Sequence, residues 1–594
     1  MSNKKDKVKL SQALKNNAFI IKTAFTTARG LCIMRIIMGV ITGLNHGVTI
    51  YLTSEILNAL DRGDPFDKIL WLIVIMAGYM LAYQLFYSWH WKIYNPMHKL
   101  DFIRRLHKRF FVKASEIDLA CYDTPEFYND FIYSMQNCDK SIVNTLDMLS
   151  DIIRCLVASV SVFGVILTVN PIIAVVILGF SVATMLLDVI SNAIYYKYQL
   201  MANTVWRKEW YMQRFFSLAE YAKEIRLTKI ALNMEKEYDA NKNEERKILL
   251  KRQKSLLAVQ ISYSLINLIE DLFIILFMTY HLFEGNILIG GFAVAIASAN
   301  KMRNMLSEIQ WRLAEINKDS IFADKVRKFL STAPSLISGT RELDSFKSVE
   351  FKNVCFAYGD KNVLDNVSFK VDEGERIAFV GYNGAGKTTI TKLMMRLYDV
   401  TSGEILVNGI NIKEYSLDSL RGKIGAVFQD YKVFAASVAE NVLVDIYTPD
   451  REQTVINALN DSTFGEKLDT LPSGINTELT REFYKDGTEL SGGENQKIAI
   501  ARVFARKNEF IIMDEPSSAL DPIAEYNLNV GIDKNAKGKT VVFITHRLST
   551  TRHVDRIYML ENGKIIESGS HDSLISSGGK YADMFELQAK KYRA

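Results

Sequence analysis

The chain has 594 residues, more than one hydrophobic core normally organises, so its length predicts at least two domains. Hydrophobic residues make up 48% of the sequence and charged residues 23%, and the formal net charge is +5. A charge this small gives no reason to expect a nucleic-acid partner. The five cysteines form no C-x-x-C pair, so neither a zinc site nor a redox motif is predicted.

The N-terminal half carries six apolar segments long enough to cross the ~30 Å hydrocarbon core of a bilayer as helices. We predict membrane spans at about 30–55, 68–90, 145–169, 171–195, 257–283 and 286–308. The first and last are the weakest, because Asn45, His46 and Asn300 interrupt them. An even number of spans places both ends of this region on one side of the membrane.

Charge gives the orientation of these spans. The connectors after the first, third and fifth are short and acidic or neutral, whereas those after the second and fourth are long and basic. The stretch 92–113 has seven Lys and Arg residues against one acid, Asp101. Because positive charge concentrates in cytosolic loops, both long connectors are predicted to be cytosolic helical arms. We therefore expect a multi-pass plasma-membrane protein, in contact with the lipid bilayer, whose N-terminus is cytosolic.

Several polar side chains fall inside the predicted spans, where they bind neighbouring helices or face a cavity. They are Arg35, His46, Glu55, Arg154, Asp188, Asn192, Asn267, Glu270 and Asp271. Contact between helices is the commoner role for such residues. The Glu270–Asp271 pair is the first candidate for lining a cavity that takes a cationic cargo.

The second half has the pattern of a nucleotide-binding α/β domain. After a linker, VEFKNVCFAY and VSFKVDEGERIAFVG alternate as strands. The segment Gly381-Tyr-Asn-Gly-Ala-Gly-Lys387-Thr388 then fits G-x-x-x-x-G-K-[ST] between a buried strand and a helix. Its backbone N–H groups can surround phosphates, Lys387 can neutralise their charge, and the Thr388 hydroxyl can bind Mg²⁺. The predicted phosphate-binding residues are Gly381, Asn383, Gly384, Gly386, Lys387, Thr388 and Thr389.

Two further motifs complete this pattern. The apolar strand Phe510-Ile-Ile-Met ends in Asp514, which suits the Mg²⁺ shell, and Glu515, which can polarise the attacking water. The segment Leu490-Ser-Gly-Gly-Glu494 opens a helix and presents a hydroxyl and free N–H groups to an anion. A simple nucleotide hydrolase needs one phosphate-binding loop, and this chain has two.

Together the P-loop, LSGGE and MDEPSSALD resemble the ABC transporter family, specifically the bacterial exporter type of half-transporter (type IV fold). The resemblance covers essentially the whole chain. It implies an all-α six-helix transmembrane domain at 1–328, a linker at 329–347 and an α/β P-loop ATPase domain at 348–594. In this family each cytosolic arm ends in a short transverse helix, here expected near 121–131 and 215–226.

The resemblance also implies that two ATPase domains pack head to tail. Each ATP would then lie between the P-loop of one chain and Ser491, Gly492, Gly493 and Glu494 of the other. Tyr358 would stack on adenine, and Ser518 to Asp521 would cross the dimer. The catalytic residues implied are Glu515, His546, which would contact the γ-phosphate, and Gln429. The metal ligands implied are Thr388, Gln429 and Asp514.

Since every motif is intact, a second copy of the chain is the expected partner, although an intact chain can equally pair with a degenerate sister chain. We predict ATP-driven export by alternating access. A peptide or small natural product ranks first as cargo, an amphiphilic drug second, and a lipid or glycolipid third. The stretch TREFYKDGTE departs from the form common in multidrug and lipid exporters. The alternatives are an importer with this fold and a soluble ABC ATPase, and the six spans argue against the latter.

Overall fold

The computed structural model describes residues 10–516, 522–546 and 550–593. The chain divides into two compact units. A helical unit comprises Met1–Glu116 and Pro125–Thr332, and an α/β unit comprises Ile117–Thr124 and Ala333–Ala594. The short segment Ile117–Thr124 therefore belongs to the α/β unit, although its chain neighbours on both sides belong to the helical unit.

Long helices joined by short connectors form the helical unit. In chain order the helices are α1 Leu10–Thr27, α2 Arg29–Asp61, α3 Phe66–Trp89, α4 Asn95–Glu116, α5 Leu119–Tyr122, α6 Pro125–Val169, α7 Pro171–Ser217, α8 Ala222–Leu227, α9 Ile230–Phe283 and α10 Ile289–Ser331. A π-helical turn at His90–Tyr94 joins α3 to α4, and a 3-10 turn at Ala219–Tyr221 precedes α8. Short helices thus lie in both regions where transverse helices are predicted.

Among the described residues, five helical stretches are long and apolar enough to cross a membrane. They are Arg29–Asp61, Phe66–Glu116, Asp130–Val169, Pro171–Gln199 and Ile230–Phe283, and they contain the first five predicted spans. The sixth predicted span lies on α10, where Lys301 and Arg303 interrupt the apolar sequence. The sixth span therefore stays a prediction.

Two of these helices are far longer than a bilayer requires. α9 has 54 residues and α7 has 47. At ~1.5 Å per residue α9 is about 80 Å long, against the ~30 Å of a hydrocarbon core. Since the sequence between their apolar parts is highly charged, both helices continue into water, as the charge pattern of the second long connector predicts.

A sharp break at Asn170 reverses the chain between α6 and α7. Asn170 is extended, and its side-chain oxygen accepts hydrogen bonds from the N–H groups of Ile172 at 2.9 Å and Ile173 at 3.3 Å. Pro171 occupies the first helical position, where no backbone donor is needed. Local capping therefore makes the shortest connector between predicted spans.

Close packing of α2 on α6 depends on Gly39, Gly43 and Gly47, which lie one turn apart. A Cβ on Gly43 would lie 2.8 Å from the Cβ of Val157, and one on Gly47 would lie 2.8 Å from that of Ser161. These separations are shorter than carbon atoms tolerate, so larger residues would force the helices apart. Small residues at this spacing are typical of close helix pairs in membranes. These glycines were not predicted from the sequence.

Charged residues in the predicted spans bind one another across helices. Arg35 on α2 is buried, pairs with Asp147 on α6 and donates to Asn95 Oδ1 at 3.0 Å. Arg154 on α6 pairs with Glu308 on α10. Contact between helices is therefore the structural role of both arginines.

The Glu270–Asp271 pair also binds an arginine of a neighbouring helix. Glu270 on α9 is 0% exposed and accepts a hydrogen bond from Arg303 of α10 at 2.5 Å, while Asp271 accepts one at 3.2 Å. One guanidinium therefore binds both carboxylates. Because Arg303 already binds both carboxylates and Glu270 is buried, the pair joins α9 to α10 in this structure, and its role as a lining for cationic cargo stays a prediction.

Two sheets form from the described strands of the α/β unit. The strands are β1 Ser348–Tyr358, β2 Lys361–Asp372, β3 Arg376–Gly381, β4 Ser402–Val407, β5 Ile410–Asn411, β6 Ile424–Val427, β7 Phe510–Asp514, β8 Thr540–Ile544, β9 Arg556–Glu561 and β10 Lys564–Gly569. The smaller sheet is antiparallel in the order β2-β1-β4-β5. The larger has the order β10-β9-β3-β8-β7-β6, with every pair parallel except β10–β9.

Helices cover these sheets, and the core lies between them. The helices are α11 Lys387–Met394, α12 Leu417–Gly422, α13 Val438–Leu443, α14 Glu452–Asp461, α15 Gly465–Leu468, α16 Gly492–Phe504, α17 Pro522–Asn535, α18 His571–Ser576 and α19 Lys580–Arg593. β7 and β8 are buried along their whole length. Because parallel strands end at the same edge of a sheet, the loops after β3, β6, β7 and β8 meet there.

Candidate nucleotide site

The loop between β3 and α11 has the backbone of a phosphate-binding loop. Gly384 and Gly386 have φ angles of 82° and 103°, in the left-handed region that favours glycine. A Cβ on Gly386 would lie 2.6 Å from Leu364 Cδ2, whereas one on Gly384 would meet nothing within 4 Å. The loop is therefore packed tightly against β2 at Gly386 and open at Gly384, where an anion can approach the backbone.

Lys387 begins α11 and turns its side chain back over this loop. Its Nζ donates hydrogen bonds to the carbonyl oxygens of Gly381 at 2.8 Å and Tyr382 at 3.0 Å. Burial lowers the pKa of the ammonium, while the nearby Glu515 and Asp514 carboxylates oppose that shift. A buried ammonium bound only by neutral carbonyls is suited to phosphate oxygens.

Thr388 and Asp514 form the predicted metal-binding pair. Thr388 Oγ1 donates a hydrogen bond to Asp514 Oδ2 at 3.1 Å. Asp514 ends β7, and burial raises its pKa to about 6. A buried carboxylate is costly unless a cation shares the site, and a hydroxyl with a carboxylate is an all-oxygen donor set. These residues therefore fit Mg²⁺.

The three predicted catalytic side chains lie together around the Glu515 carboxylate. Gln429 Nε2 donates to Glu515 Oε2 at 3.0 Å, and His546 Nδ1 lies 2.7 Å from Glu515 Oε1. Gln429 follows β6, Glu515 follows β7 and His546 follows β8, so the parallel sheet positions all three. Gln429, also predicted as a metal ligand, binds Glu515 here.

The backbone of Glu515 is held in an uncommon conformation. Its φ is 50°, which few residues other than glycine adopt. The Glu515 N–H donates to the Ile544 carbonyl at 2.9 Å, and Gln496 Nε2 donates to the Glu515 carbonyl at 3.1 Å. Gln496 was not predicted from the sequence. The signal for it was a polar residue in the helix that LSGGE opens, at a position that the fold buries.

At the start of α16 the LSGGE segment forms a capping box. Ser491 Oγ accepts from the Glu494 N–H at 3.3 Å, and Glu494 Oε2 accepts from the Ser491 N–H at 2.7 Å. Lys467 also pairs with Glu494 at 3.1 Å. The Glu494 carboxylate is therefore engaged within its own chain, whereas Ser491 and Gly492 are exposed at the helix tip.

The remaining predicted residues are distributed around the P-loop. Tyr358 is half-buried at the end of β1, with its ring centroid 5.3 Å from that of Tyr398 and 5.6 Å from Lys392 Nζ. In the P-loop Asn383 is exposed and Thr389 is buried. The segment Ser518 to Asp521 lies outside the described residues.

Comparison with known proteins decides the family. A sequence profile described as ABC transporter matches residues 364–518, which include the P-loop, LSGGE and Glu515. Over 604 aligned residues the chain is 27% identical to the subtilin transport ATP-binding protein SpaT of Bacillus subtilis, covering 98% of this chain and 96% of that protein. Residues 364–518 thus match the ABC transporter family, and the whole chain is similar to a transport ATP-binding protein.

Two further similarities refine the assignment of this ABC transporter. It is 31% identical over 376 residues to the ATP-dependent lipid A-core flippase of Haemophilus influenzae strain 86-028NP, covering 62% of this chain and 61% of that protein. A bacterial Atm1-family ABC exporter with ATP bound has a similar fold, with a TM-score of 0.70 and 22% identity. That match covers 95% of this chain and 99% of the other.

The ABC transporter is thus an exporter-type half-transporter that binds ATP and couples its hydrolysis to transport. It is a multi-pass protein of the plasma membrane with a cytosolic ATPase unit, the α/β unit described above. Half-transporters of this family typically dimerise. The predicted fold class, the ATPase activity and the membrane location are confirmed.

Proposed function

We propose that this ABC transporter works as a homodimer that exports a peptide or small natural product. The observation that carries the proposal is the Glu515 carboxylate bound by both Gln429 and His546. Because one chain supplies the whole hydrolytic set, two copies suffice for two working sites. The similarity to a subtilin transport protein extends over the whole chain, whereas that to a lipid A-core flippase covers 61% of the flippase. A subtilin-like cargo therefore ranks before a lipid.

In this proposal ATP is bound between the two copies. Lys387 and the backbone of the P-loop contact the phosphates, and Tyr358 stacks on adenine. Thr388 and Asp514 hold Mg²⁺, which when bound neutralises charge on the β- and γ-phosphates. The exposed tip of α16 at Ser491 of the second copy faces the γ-phosphate with its N–H groups.

Hydrolysis follows from the two contacts of Glu515. Gln429 and His546 fix the direction of the carboxylate, which accepts a proton from the attacking water. The water oxygen bonds to the γ-phosphorus as the bond to the β–γ bridging oxygen breaks, and ADP leaves with that electron pair. His546 then acts through Glu515 as well as on the γ-phosphate, since its Nδ1 lies 2.7 Å from the carboxylate.

Coupling to the helices runs through the segment that contains α5. Asp118 accepts hydrogen bonds from the Ser335 hydroxyl at 2.7 Å and the Leu336 N–H at 3.2 Å, and Asp123 accepts one from the Tyr398 hydroxyl at 2.6 Å. This segment is continuous with α4 on one side and α6 on the other. When two ATPase units close on ATP, it carries the ends of both helices with it, which changes the side on which the cargo cavity opens.

Transport direction tests the proposal. Inside-out membrane vesicles that contain the full-length protein are expected to take up an amphiphilic peptide probe when ATP is added, and vesicles with the Glu515→Gln variant are not. Uptake only into right-side-out vesicles would identify an importer. ATP hydrolysis without uptake of peptide, drug or lipid probes in either orientation would refute transport.

A further inference from the structure

A cavity of about 580 Å³, with both polar and apolar lining residues, lies between three helices of the helical unit. Its polar lining comes from α2, α3 and α10. The residues are Asn45, His46, Thr49, Tyr83, Gln84 and Lys301. They fall within, or one turn from, the predicted first, second and sixth spans, where polar side chains have a cost and usually serve a function.

Helical spacing explains why these side chains face one space. Asn45 and Thr49 lie one turn apart on α2, and Met80 and Gln84 lie one turn apart on α3. On α10, Lys301 follows the small residue Ala297 by one turn. Ile50 and Met80 add an apolar border to the same cavity. The cavity therefore combines a charged end with hydrocarbon, which fits an amphiphile.

Lys301 has no carboxylate partner in the described part of the chain, and no hydrogen bond there involves its ammonium. Arg35, Arg154 and Arg303 of the same unit each pair with a carboxylate. Glu308, an acid whose charge acts on Lys301, is already bound by Arg154. Lys301 is thus a half-buried cation that forms no ion pair with any described residue.

The neighbouring neutral groups can also donate. Within the described residues the side chains of Asn45, Tyr83 and Gln84 have no hydrogen-bond partner, and Gln84 is exposed. Thr49 donates to the Asn45 carbonyl at 2.8 Å, so its hydroxyl is engaged within α2. An ammonium with two amides and a phenol offers many N–H and O–H donors, which suits a group rich in acceptor oxygens.

We propose that this cavity binds an anionic oxygen group, a carboxylate or a phosphate, at one end of an amphiphilic cargo. Lys301 supplies the counter-charge, and Asn45 and Gln84 supply hydrogen bonds. This inference rests on the proposed export function, and names the charge of its cargo. It differs from the cationic cargo that the Glu270–Asp271 pair predicts.

Direct binding tests the inference without any catalytic step. Full-length protein in nanodiscs of zwitterionic lipid, without nucleotide, is dialysed against radiolabelled N-dodecanoylglycine or dodecyl phosphate. N-dodecanoylglycine methyl ester and dodecyltrimethylammonium provide a neutral and a cationic probe with the same chain. We expect both anions to bind at least tenfold more tightly than the other two. The tighter of the two anions identifies the group as a carboxylate or a phosphate.

Three variants locate the site. Lys301→Met is expected to weaken anion binding about tenfold and to leave dodecyltrimethylammonium binding unchanged, whereas Lys301→Arg retains anion binding because it keeps the charge. Lys254→Met, which removes a lysine from a different cavity of the same unit, is the matched control and is expected to bind as the wild type does. Equal binding of anionic and cationic probes, or anion binding that survives in Lys301→Met, would overturn the inference.

A failure of the inference can be told apart from a failure of the export function. ATP-driven uptake of the two anionic probes into inside-out vesicles, at the same rate in Lys301→Met as in the wild type, would leave export standing and refute the anion site. Anion binding that depends on Lys301, with no ATP-driven uptake of any probe, would retain the site and refute export.

Discussion

Carboxylates in the helical unit and at the ATPase site are bound by different kinds of partner. In the helical unit Glu270 is fully buried and bound by Arg303, a permanent cation. In the ATPase unit Glu515 is bound by Gln429 and His546, and the buried carboxylate of Asp514 by the Thr388 hydroxyl. Charges that cancel one another hold helices together, whereas a carboxylate that no Arg or Lys side chain binds among the described residues stays available to a ligand.

The same distinction separates two lysines, one in each unit, from the paired arginines of the helical unit. Lys387 is bound by two backbone carbonyls, and Lys301 has no partner among the described residues. Neither is neutralised by a carboxylate, in contrast to Arg35. We therefore expect both lysines to act on anions, one on phosphates of ATP and one on the cargo.

Glu515→Gln gives the largest effect expected. The amide cannot accept the proton of the attacking water, so we expect ATP hydrolysis to fall about 10³-fold, or ~4 kcal/mol in the activation barrier. ATP binding, measured with a fluorescent analogue, is expected to persist. The control is Glu373→Gln, an exposed acid of the same unit. Hydrolysis above a tenth of the wild-type rate would assign the base elsewhere.

Arg303→Met tests the other side of the comparison. Removing the guanidinium leaves Glu270 buried without a partner, which we expect to cost about 3 kcal/mol of stability. The thermal unfolding midpoint in detergent is the measurement. The double variant Arg303→Met with Glu270→Gln is expected to recover much of that loss, because no buried charge remains at position 270. If Arg303→Met has the same thermal unfolding midpoint as the wild type, the Arg303–Glu270 pair does not stabilise the helical unit.

The ATPase site could be predicted from the sequence because its chemistry depends on short segments of fixed spacing. The P-loop, Asp514-Glu515 and LSGGE each follow or precede one element, and a parallel sheet brings the ends of its strands together without further information. Gln496 was missed because its role depends on the distance from α16 to the Glu515 carbonyl. No local pattern specifies that distance.

The helical unit was harder to predict because its contacts join residues far apart in the chain. Glu270 and Arg303 lie on different helices, and hydropathy does not show which faces of these helices meet. The role of the glycines of α2 depends on their close packing against Val157 and Ser161 of α6, which lie far away in the sequence. Charge and length predicted the arms and five of the candidate spans, but not which charges would pair.

Gln496→Ala tests whether the backbone of Glu515 must be held. The hydrogen bond from Gln496 to the Glu515 carbonyl helps to hold the Glu515 backbone at a φ of 50°. Its loss is expected to lower the rate of ATP hydrolysis about tenfold, which corresponds to ~1.4 kcal/mol in the activation barrier. Lys497→Ala, the next residue of α16, removes a bond to the Thr463 carbonyl and is the control. Equal rates of ATP hydrolysis in the two variants would show that Gln496 stabilises α16 as a whole and has no specific effect on Glu515.

Asp123→Ala has the smallest expected effect and tests coupling. Asp123 is bound by the Tyr398 hydroxyl, an uncharged donor, because burial and the Asp123 carboxylate raise the pKa of that phenol and keep it protonated. A hydrogen bond of this kind can break and re-form during a transport cycle at a low free-energy cost, as a contact that transmits motion requires.

In the Asp123→Ala variant we expect the basal ATPase rate to stay within twofold of the wild type. The stimulation of that rate by an amphiphilic probe is expected to fall about threefold, in keeping with the ~1 kcal/mol of one hydrogen bond. Glu116→Ala removes an acid that pairs with Lys113 on the same helix, and is expected to retain full stimulation. Loss of stimulation in both variants would show that any acid near this segment suffices, so that the bond to Tyr398 carries no signal of its own.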